Sequence, residues 1–66
     1  MRNIPDTMKV SLKTARELNG LKQSEAAALI GVSTDTLGNY ERGKSYPDIP
    51  VLRKIEEVYK VPYSRI

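Results

Sequence analysis

The sequence predicts an all-α domain of four to five short helices. Apolar residues recur at helical spacing in four stretches of the 66-residue chain, and glycines and prolines interrupt the pattern between them. Serine or aspartate stands at the start of three of these stretches, where it favours helix initiation. The length allows one domain, and a domain of this size has a small core and marginal stability.

The first two predicted helices have clear start and stop signals. Ser11 is a good N-cap for a helix over residues 12 to about 19, and the Asn-Gly pair at its end favours the left-handed conformation that closes a helix. The second helix covers residues 23 to about 30, where three consecutive alanines raise the helix propensity. Gly31 ends it in a tight turn, where a positive φ is readily adopted only by glycine.

The third and fourth helices are predicted in the same way. Ser33 caps a helix over residues 34 to about 41, and Gly38 in its middle costs roughly 1 kcal/mol relative to alanine. Asp48 caps the fourth helix, which tolerates a proline in its first turn. The fourth helix is amphipathic over roughly three turns, and its apolar positions are Ile49, Leu52, Ile55 and Tyr59.

Both ends of the chain lack a complete helical pattern. Residues 1–10 contain a proline and no helical periodicity, so they form either an extended N-terminal arm, with a short strand at 8–10, or a frayed terminus. Val61-Pro62 breaks the fourth helix, and residues 63–66 fit the first turn of a fifth. The folded domain is therefore predicted over residues 11–66.

The predicted core is small and contains tyrosine as its only aromatic residue type. Tyr59 and Tyr63 either line a dimer interface or cover this core. The residues expected inside are Leu12, Ala15, Leu18, Leu21, Ala27, Ile30, Val32, Leu37, Tyr40, Leu52, Ile55 and Val58.

Composition excludes several classes of function. The chain has no cysteine and no histidine, which removes disulfides, thiolate metal sites, most zinc chemistry and imidazole catalysis. We therefore expect no enzyme activity, no cofactor and no metal. No apolar run is long enough for a signal peptide or a membrane span, so a soluble, cytoplasmic protein without a membrane partner is predicted. The net charge of +3 favours a polyanionic partner only weakly.

The spacing from Gln23 to Tyr40 suits two helices that cross at a large angle. A small residue at Ala27 lets the second and third helices approach, and Gly31 makes the turn between them. Leu37 and Tyr40 anchor the third helix to the core. The side that this leaves facing outward is polar, and such a helix can enter a major groove. The outward residues are Thr34, Asp35, Gly38 and Asn39.

The stretch LKQSEAAALIGVSTDTLGNYERGKSYPD resembles the helix-turn-helix family of phage Cro and repressor proteins, also called the XRE-like family. The resemblance extends from Leu12 to Ile66. It implies a lambda-repressor-like DNA-binding domain with the helix-turn-helix proper at 23–41. It also implies a transcriptional regulator of phage or mobile-element type that binds a double-stranded DNA operator as a homodimer and represses transcription. The loop after the third helix and residues 59–66 would form the dimer interface.

The resemblance also implies roles for individual residues. Thr34, Asp35 and Asn39 are expected to contact base edges, and Asn39 can pair bidentately with adenine. Arg16 and Glu41 match a structural salt bridge between the first and third helices. The residues expected to contact DNA phosphates are Gln23, Ser33, Arg42 and Lys44. Gln23 can also brace the third helix.

Two residues depart from the family pattern and leave alternatives open. The segment from Lys22 to Lys44 carries three basic and three acidic residues, so Asp35 either reads a specific base or lowers the affinity for DNA. Asp35 also suits the positive end of the helix dipole without any DNA. Gly38 either allows close approach of the backbone to DNA or is simply tolerated.

The main rival to a DNA-binding regulator is a protein-interaction module on the same fold, such as an antitoxin or an anti-repressor partner. Such a module would carry an exposed apolar patch on the third helix instead of a polar face. The chain shows no evident site for a small-molecule ligand.

Overall fold

The computed structural model describes residues 11–61, which form an all-α fold without strands. The predicted helices are confirmed to within a residue at their ends. The N-terminal arm predicted at 1–10 and the fifth helical turn predicted at 63–66 lie outside the described residues. The helices are α1 Leu12–Leu18, α2 Gln23–Ile30, α3 Thr34–Glu41 and α4 Ile49–Tyr59.

Three helices begin at the predicted caps. Ser11, Ser33 and Asp48 each accept a hydrogen bond from the backbone N–H three residues later, at 3.1, 3.0 and 3.0 Å. The second helix begins differently, because the side chain of Glu25 accepts a hydrogen bond from the backbone N–H of Lys22 at 2.8 Å. Each start is therefore encoded within four consecutive residues, which explains why sequence signals located it.

The turn between α2 and α3 is closed by Gly31. This residue has φ +93°, a left-handed conformation that strains any residue with a β-carbon. The backbone N–H groups of Gly31 and Val32 both donate to the carbonyl oxygen of Ala27, at 2.8 and 3.0 Å. The last turn of α2 is thus locked before the chain enters α3.

Helix α2 lies at the centre of the domain and packs against both α3 and α4. Small side chains make this possible, since Ala26 and Ala27 are exposed by no more than 2%. Larger residues at these positions would hold the helix axes apart. The buried apolar core consists of Ala15, Ala26, Ala27, Ile30, Leu37, Ile55 and Tyr59.

Leu18, which is predicted in the core, and Ile49, which is predicted on the apolar side of the fourth helix, are both exposed. Leu18 is 74% and Ile49 is 67% solvent-accessible. In each of the two helices the apolar residues recur at steps of three, and each such step rotates the side chain by about 60° away from the previous one. Over two steps the side chain leaves the buried face. The buried faces of the two helices instead centre on Ala15 and Arg16 in α1 and on Ile55 and Tyr59 in α4.

The C-terminal ends of α1 and α4 are joined through one amide. The side-chain Nδ2 of Asn19 donates to the carbonyl oxygen of Ala15 at 2.8 Å and to that of Tyr59 at 2.9 Å. These carbonyls belong to the last turns of the two helices, where no intrahelical donor remains for the terminal ones. Asn19 therefore closes α1 through its side chain and also holds α4 in place. Of the Asn-Gly pair predicted to be left-handed, Gly20 adopts that conformation with φ +70°, whereas Asn19 has φ −91°. None of the helices described over 11–61 is long and apolar enough to cross a membrane.

Tyr59 is a core residue whose hydroxyl group is also buried. It is 1% exposed, and its Oη has no hydrogen-bond partner within residues 11–61. Burial raises the pKa of Tyr59 to about 12 because the phenolate cannot be hydrated there. Of the two roles considered for this residue, the side chain occupies the core.

The variant Tyr59→Phe is expected to be as stable as the wild type or more stable by about 1 kcal/mol, since it removes a buried polar group that has no partner in the part of the chain the structure describes. It should also change the response to alkaline pH. The folded state keeps its tyrosine proton up to about pH 12, whereas an unfolded tyrosine loses it near pH 10. The wild type therefore loses stability as the pH rises from 10 to 12, and Tyr59→Phe lacks this component.

Urea unfolding at pH 8 and pH 11 measures both effects. Tyr46→Phe is the matched control, because Tyr46 is 82% exposed. A Tyr59→Phe protein less stable than wild type by more than about 1 kcal/mol would mean that the hydroxyl is hydrogen-bonded after all.

Candidate nucleic-acid interface

The outward side of α3 is polar at its N-terminal turn. Thr34 and Asp35 are exposed, whereas Leu37 on the opposite side is fully buried. Ser33 caps the helix, and its Oγ also donates to the hydroxyl of Thr36 at 2.8 Å. The helix is therefore fixed by its apolar side, while two of the three residues predicted to read bases project into solvent.

Arg16 and Glu41 form an ion pair that joins α1 to the end of α3. The guanidinium of Arg16 donates through Nε to Glu41 Oε2 at 2.7 Å and through Nη2 to Oε1 at 3.2 Å. A third donor, Nη1, reaches the carbonyl oxygen of Leu21 at 2.9 Å. The two side chains are only 10% and 6% exposed. The hydrogen bond to Glu41 raises the pKa of Arg16.

Gln23 joins this network from α2. Its side-chain Nε2 donates to Glu41 Oε1 at 3.1 Å. One carboxylate therefore receives bonds from the first and second helices and holds the end of the third. Since an amide nitrogen carries two hydrogens, Gln23 keeps one N–H and its carbonyl oxygen for another partner.

Gly38 does not face away from the protein, contrary to expectation. It is buried beneath two side chains that fold over α3. A β-carbon at this position would lie 3.1 Å from Arg42 Nη1 and 3.5 Å from Gln23 Nε2. The physical reason is that Arg42 follows Gly38 by four residues, one helical turn, so its side chain occupies the space that glycine leaves empty.

Arg42 also contacts Asn39. The guanidinium Nη2 donates to Asn39 Oδ1 at 2.8 Å. The structure thus brings together a residue predicted to contact phosphate and one predicted to read a base. Lys44 is exposed in the loop beyond the helix, where its backbone N–H donates to the carbonyl oxygen of Asn39 at 2.9 Å.

An open pocket lies where α1, α2 and α3 meet. Its lining contributes three cationic side chains and a single carboxylate, and that carboxylate is already bonded to Arg16 and Gln23. The pocket therefore offers N–H donors and positive charge to an anion. It is lined by Lys13, Arg16, Gln23, Gly38, Glu41 and Arg42.

Lys13 is the lining residue that sequence reasoning missed. It precedes Arg16 by three residues, so the two share one side of α1. That spacing is the sequence signal for a cationic side of α1. Within residues 11–61 no group of three or more acidic, histidine or cysteine side chains is placed to hold a metal ion.

Comparison with known proteins identifies one family. The family model described as helix-turn-helix matches residues 12–66. Over 50 residues, 76% of this chain, the sequence is 40% identical to the HTH-type transcriptional regulator ImmR of Bacillus subtilis. Over 64 residues, 97% of the chain, it is 36% identical to the HTH-type transcriptional regulator SutR of Escherichia coli. A putative HTH-type transcriptional regulatory protein of Pyrococcus horikoshii is 37% identical over 51 residues, 77% of the chain.

The chain aligns with only part of each relative. The aligned segments cover 39% of ImmR, 36% of SutR and 16% of the Pyrococcus horikoshii protein. The shared region is therefore one segment within longer proteins. No solved structure matches the chain significantly.

Proposed function

The chain belongs to the XRE-like helix-turn-helix family, and from this membership we propose that it binds double-stranded DNA sequence-specifically and regulates transcription. The observation that carries the proposal is the arrangement of α3. Its buried Leu37 and the bonds to Glu41 fix the helix, while Thr34 and Asp35 project from its first turn. A helix presented in this way can place residues near its N-terminus against base edges in the major groove.

Contacts to the DNA backbone would come from groups around this turn. Gln23 has one N–H left for a phosphate while it braces Glu41. Arg42 and Lys13 bring charge to the same pocket, and the exposed Lys44 lies just beyond α3. Ser33 stands at the helix start, where the dipole favours an anion. Such contacts set the register, and Thr34 and Asp35 discriminate between bases.

The polar character of α3 favours DNA over a protein partner. Within residues 11–61 the large apolar side chains that are exposed all lie outside this helix: Leu18, Leu29, Tyr46 and Ile49. A protein-interaction module using α3 would need an apolar face there. DNA reading needs the polar face that the helix has.

The finer proposal is a repressor of phage or mobile-element type that acts as a homodimer. One recognition helix reads only a few base pairs, and a dimer on half-sites about 34 Å apart doubles that information. Tyr46 and Ile49, 82% and 67% exposed, supply apolar surface beside the loop that follows α3. Repression by blocking the promoter requires no part beyond DNA binding.

Selection of bound sequences from random duplexes, repeated at two salt concentrations, tests the proposed function. A palindromic consensus is expected, with affinity that falls steeply as salt rises because phosphate contacts release counterions. Lys44→Ala should weaken binding to all sequences alike. Failure to enrich any sequence, with only nonspecific binding at both salts, would contradict the proposal.

The variant Asp35→Asn separates the two roles open to this carboxylate. If Asp35 accepts a hydrogen bond from cytosine N4, the variant loses cytosine preference at one position of each half-site, a discrimination of about 1–3 kcal/mol. Repeating the selection with the variant measures this change. An unchanged consensus combined with tighter binding would show instead that Asp35 only repels phosphates.

A further inference from the structure

We infer that Asn39 acts as a positioning residue, which holds the guanidinium of Arg42 against a backbone phosphate, and does not read adenine. This inference rests on the proposed function, because it needs DNA as the ligand. The first observation is the bond itself, 2.8 Å from Arg42 Nη2 to Asn39 Oδ1. Arginine has five N–H donors, so most of them stay available after this one is used.

The position of the guanidinium indicates what those donors meet. Arg42 lies over Gly38 and lines the pocket that also contains Lys13, Arg16 and Gln23. The pocket also contains the carboxylate of Glu41, which is bonded to Arg16 and Gln23, so Lys13 and Arg42 supply its excess positive charge. These two cations and the remaining N–H donors suit a ligand with several acceptor oxygens and a negative charge. In duplex DNA that group is a backbone phosphate, since base edges carry no charge.

The hydrogen bond from Arg42 also limits the ability of Asn39 to pair with adenine. Bidentate pairing with adenine uses the carboxamide edge, with Oδ1 accepting from N6 and Nδ2 donating to N7. Here Oδ1 already accepts a hydrogen bond from the guanidinium of Arg42. Asn39 is partly buried, whereas Thr34 and Asp35 are exposed at the other end of the helix.

Gly38 makes this arrangement possible. A β-carbon there would sit 3.1 Å from Arg42 Nη1, closer than an ordinary contact, so the guanidinium would have to move by a few tenths of an ångström. The missing side chain therefore creates the space in which Arg42 lies between Gln23 and Asn39. Glycine in a helix interior lowers helix propensity, and a role in seating Arg42 explains its presence.

A double-mutant cycle on the selected operator tests the inference. Arg42→Ala is expected to weaken DNA binding roughly 10-fold, because a charged hydrogen bond is lost. It should also reduce the slope of the logarithm of the binding constant against the logarithm of the salt concentration by about one. Asn39→Ala should weaken binding by a smaller factor in the wild type and have almost no effect when Arg42 is already alanine. The consensus selected by Asn39→Ala should equal that of the wild type, whereas the control Thr34→Ala should relax one position of each half-site.

Gly38→Ala provides a second variant that keeps every donor. It should melt no lower than the wild type, because alanine favours the helix, yet it should bind all sequences more weakly. Relaxed preference in Asn39→Ala, or additive losses in the cycle, would overturn the inference and leave the proposed function intact. A wild type that selects no consensus would overturn both.

Discussion

Glu41→Ala is expected to lower the free energy of unfolding by about 3–5 kcal/mol, which is the cost of stranding one partner of a buried ion pair. Arg16 and Glu41 are 10% and 6% exposed, so water cannot replace the lost carboxylate. The variant also removes the acceptor of Gln23. Three helices lose their shared contact at once, since these residues come from α1, α2 and α3.

Thermal melting measures this effect. A domain of this size shifts by about 4–8 °C for each kcal/mol, so the melting temperature should fall by well over 10 °C. Glu57→Ala is the matched control, because Glu57 pairs with Lys54 at 3.2 Å on the surface, where the side chains are 73% and 48% exposed. The control should change stability by less than about 1 kcal/mol. A Glu41→Ala melt within a degree or two of the wild type would exclude a structural role for the pair.

Leu37→Ala is expected to destabilise the domain by about 2–5 kcal/mol, because it removes a buried side chain and leaves a cavity. Leu37 is the largest fully buried side chain of α3. The loss should also weaken DNA binding, since this contact sets how α3 is presented. Urea unfolding and operator affinity measured below the unfolding transition give the two values.

Leu18→Ala is the control for this substitution. It deletes the same atoms from a side chain that is 74% exposed, so stability should change by less than about 0.5 kcal/mol. Sequence periodicity had placed both leucines inside. Equal losses from the two variants would show that the burial described for α1 is wrong.

Local signals located the helices well. Ser11, Ser33 and Asp48 each bond a backbone N–H three residues away, and Gly31 adopts a positive φ within its own turn. These hydrogen bonds and backbone conformations involve only residues that are close in sequence, so they can be predicted without the tertiary structure. The periodic spacing of apolar residues also located most of the core, because it follows the turn of each helix.

Contacts between side chains on different turns or helices were harder to predict. Gly38 was assigned to the outward face, yet Arg42 covers it. Lys13 was overlooked, although it lines the pocket with residues of α2 and α3. The bond between Asn39 and Arg42 depends on a rotamer choice, which helical spacing permits but does not require.

The sequence by itself determined the all-α class, the starts and ends of four helices, and the family to which the chain belongs. Each of these depends on backbone conformation and on hydrogen bonds closed over a few neighbouring residues. Only the tertiary structure decided that Leu18 and Ile49 face solvent and that Tyr59 is buried. It also decided how the cationic pocket forms over Gly38, because packing selects one rotation of each helix and one rotamer of each long side chain.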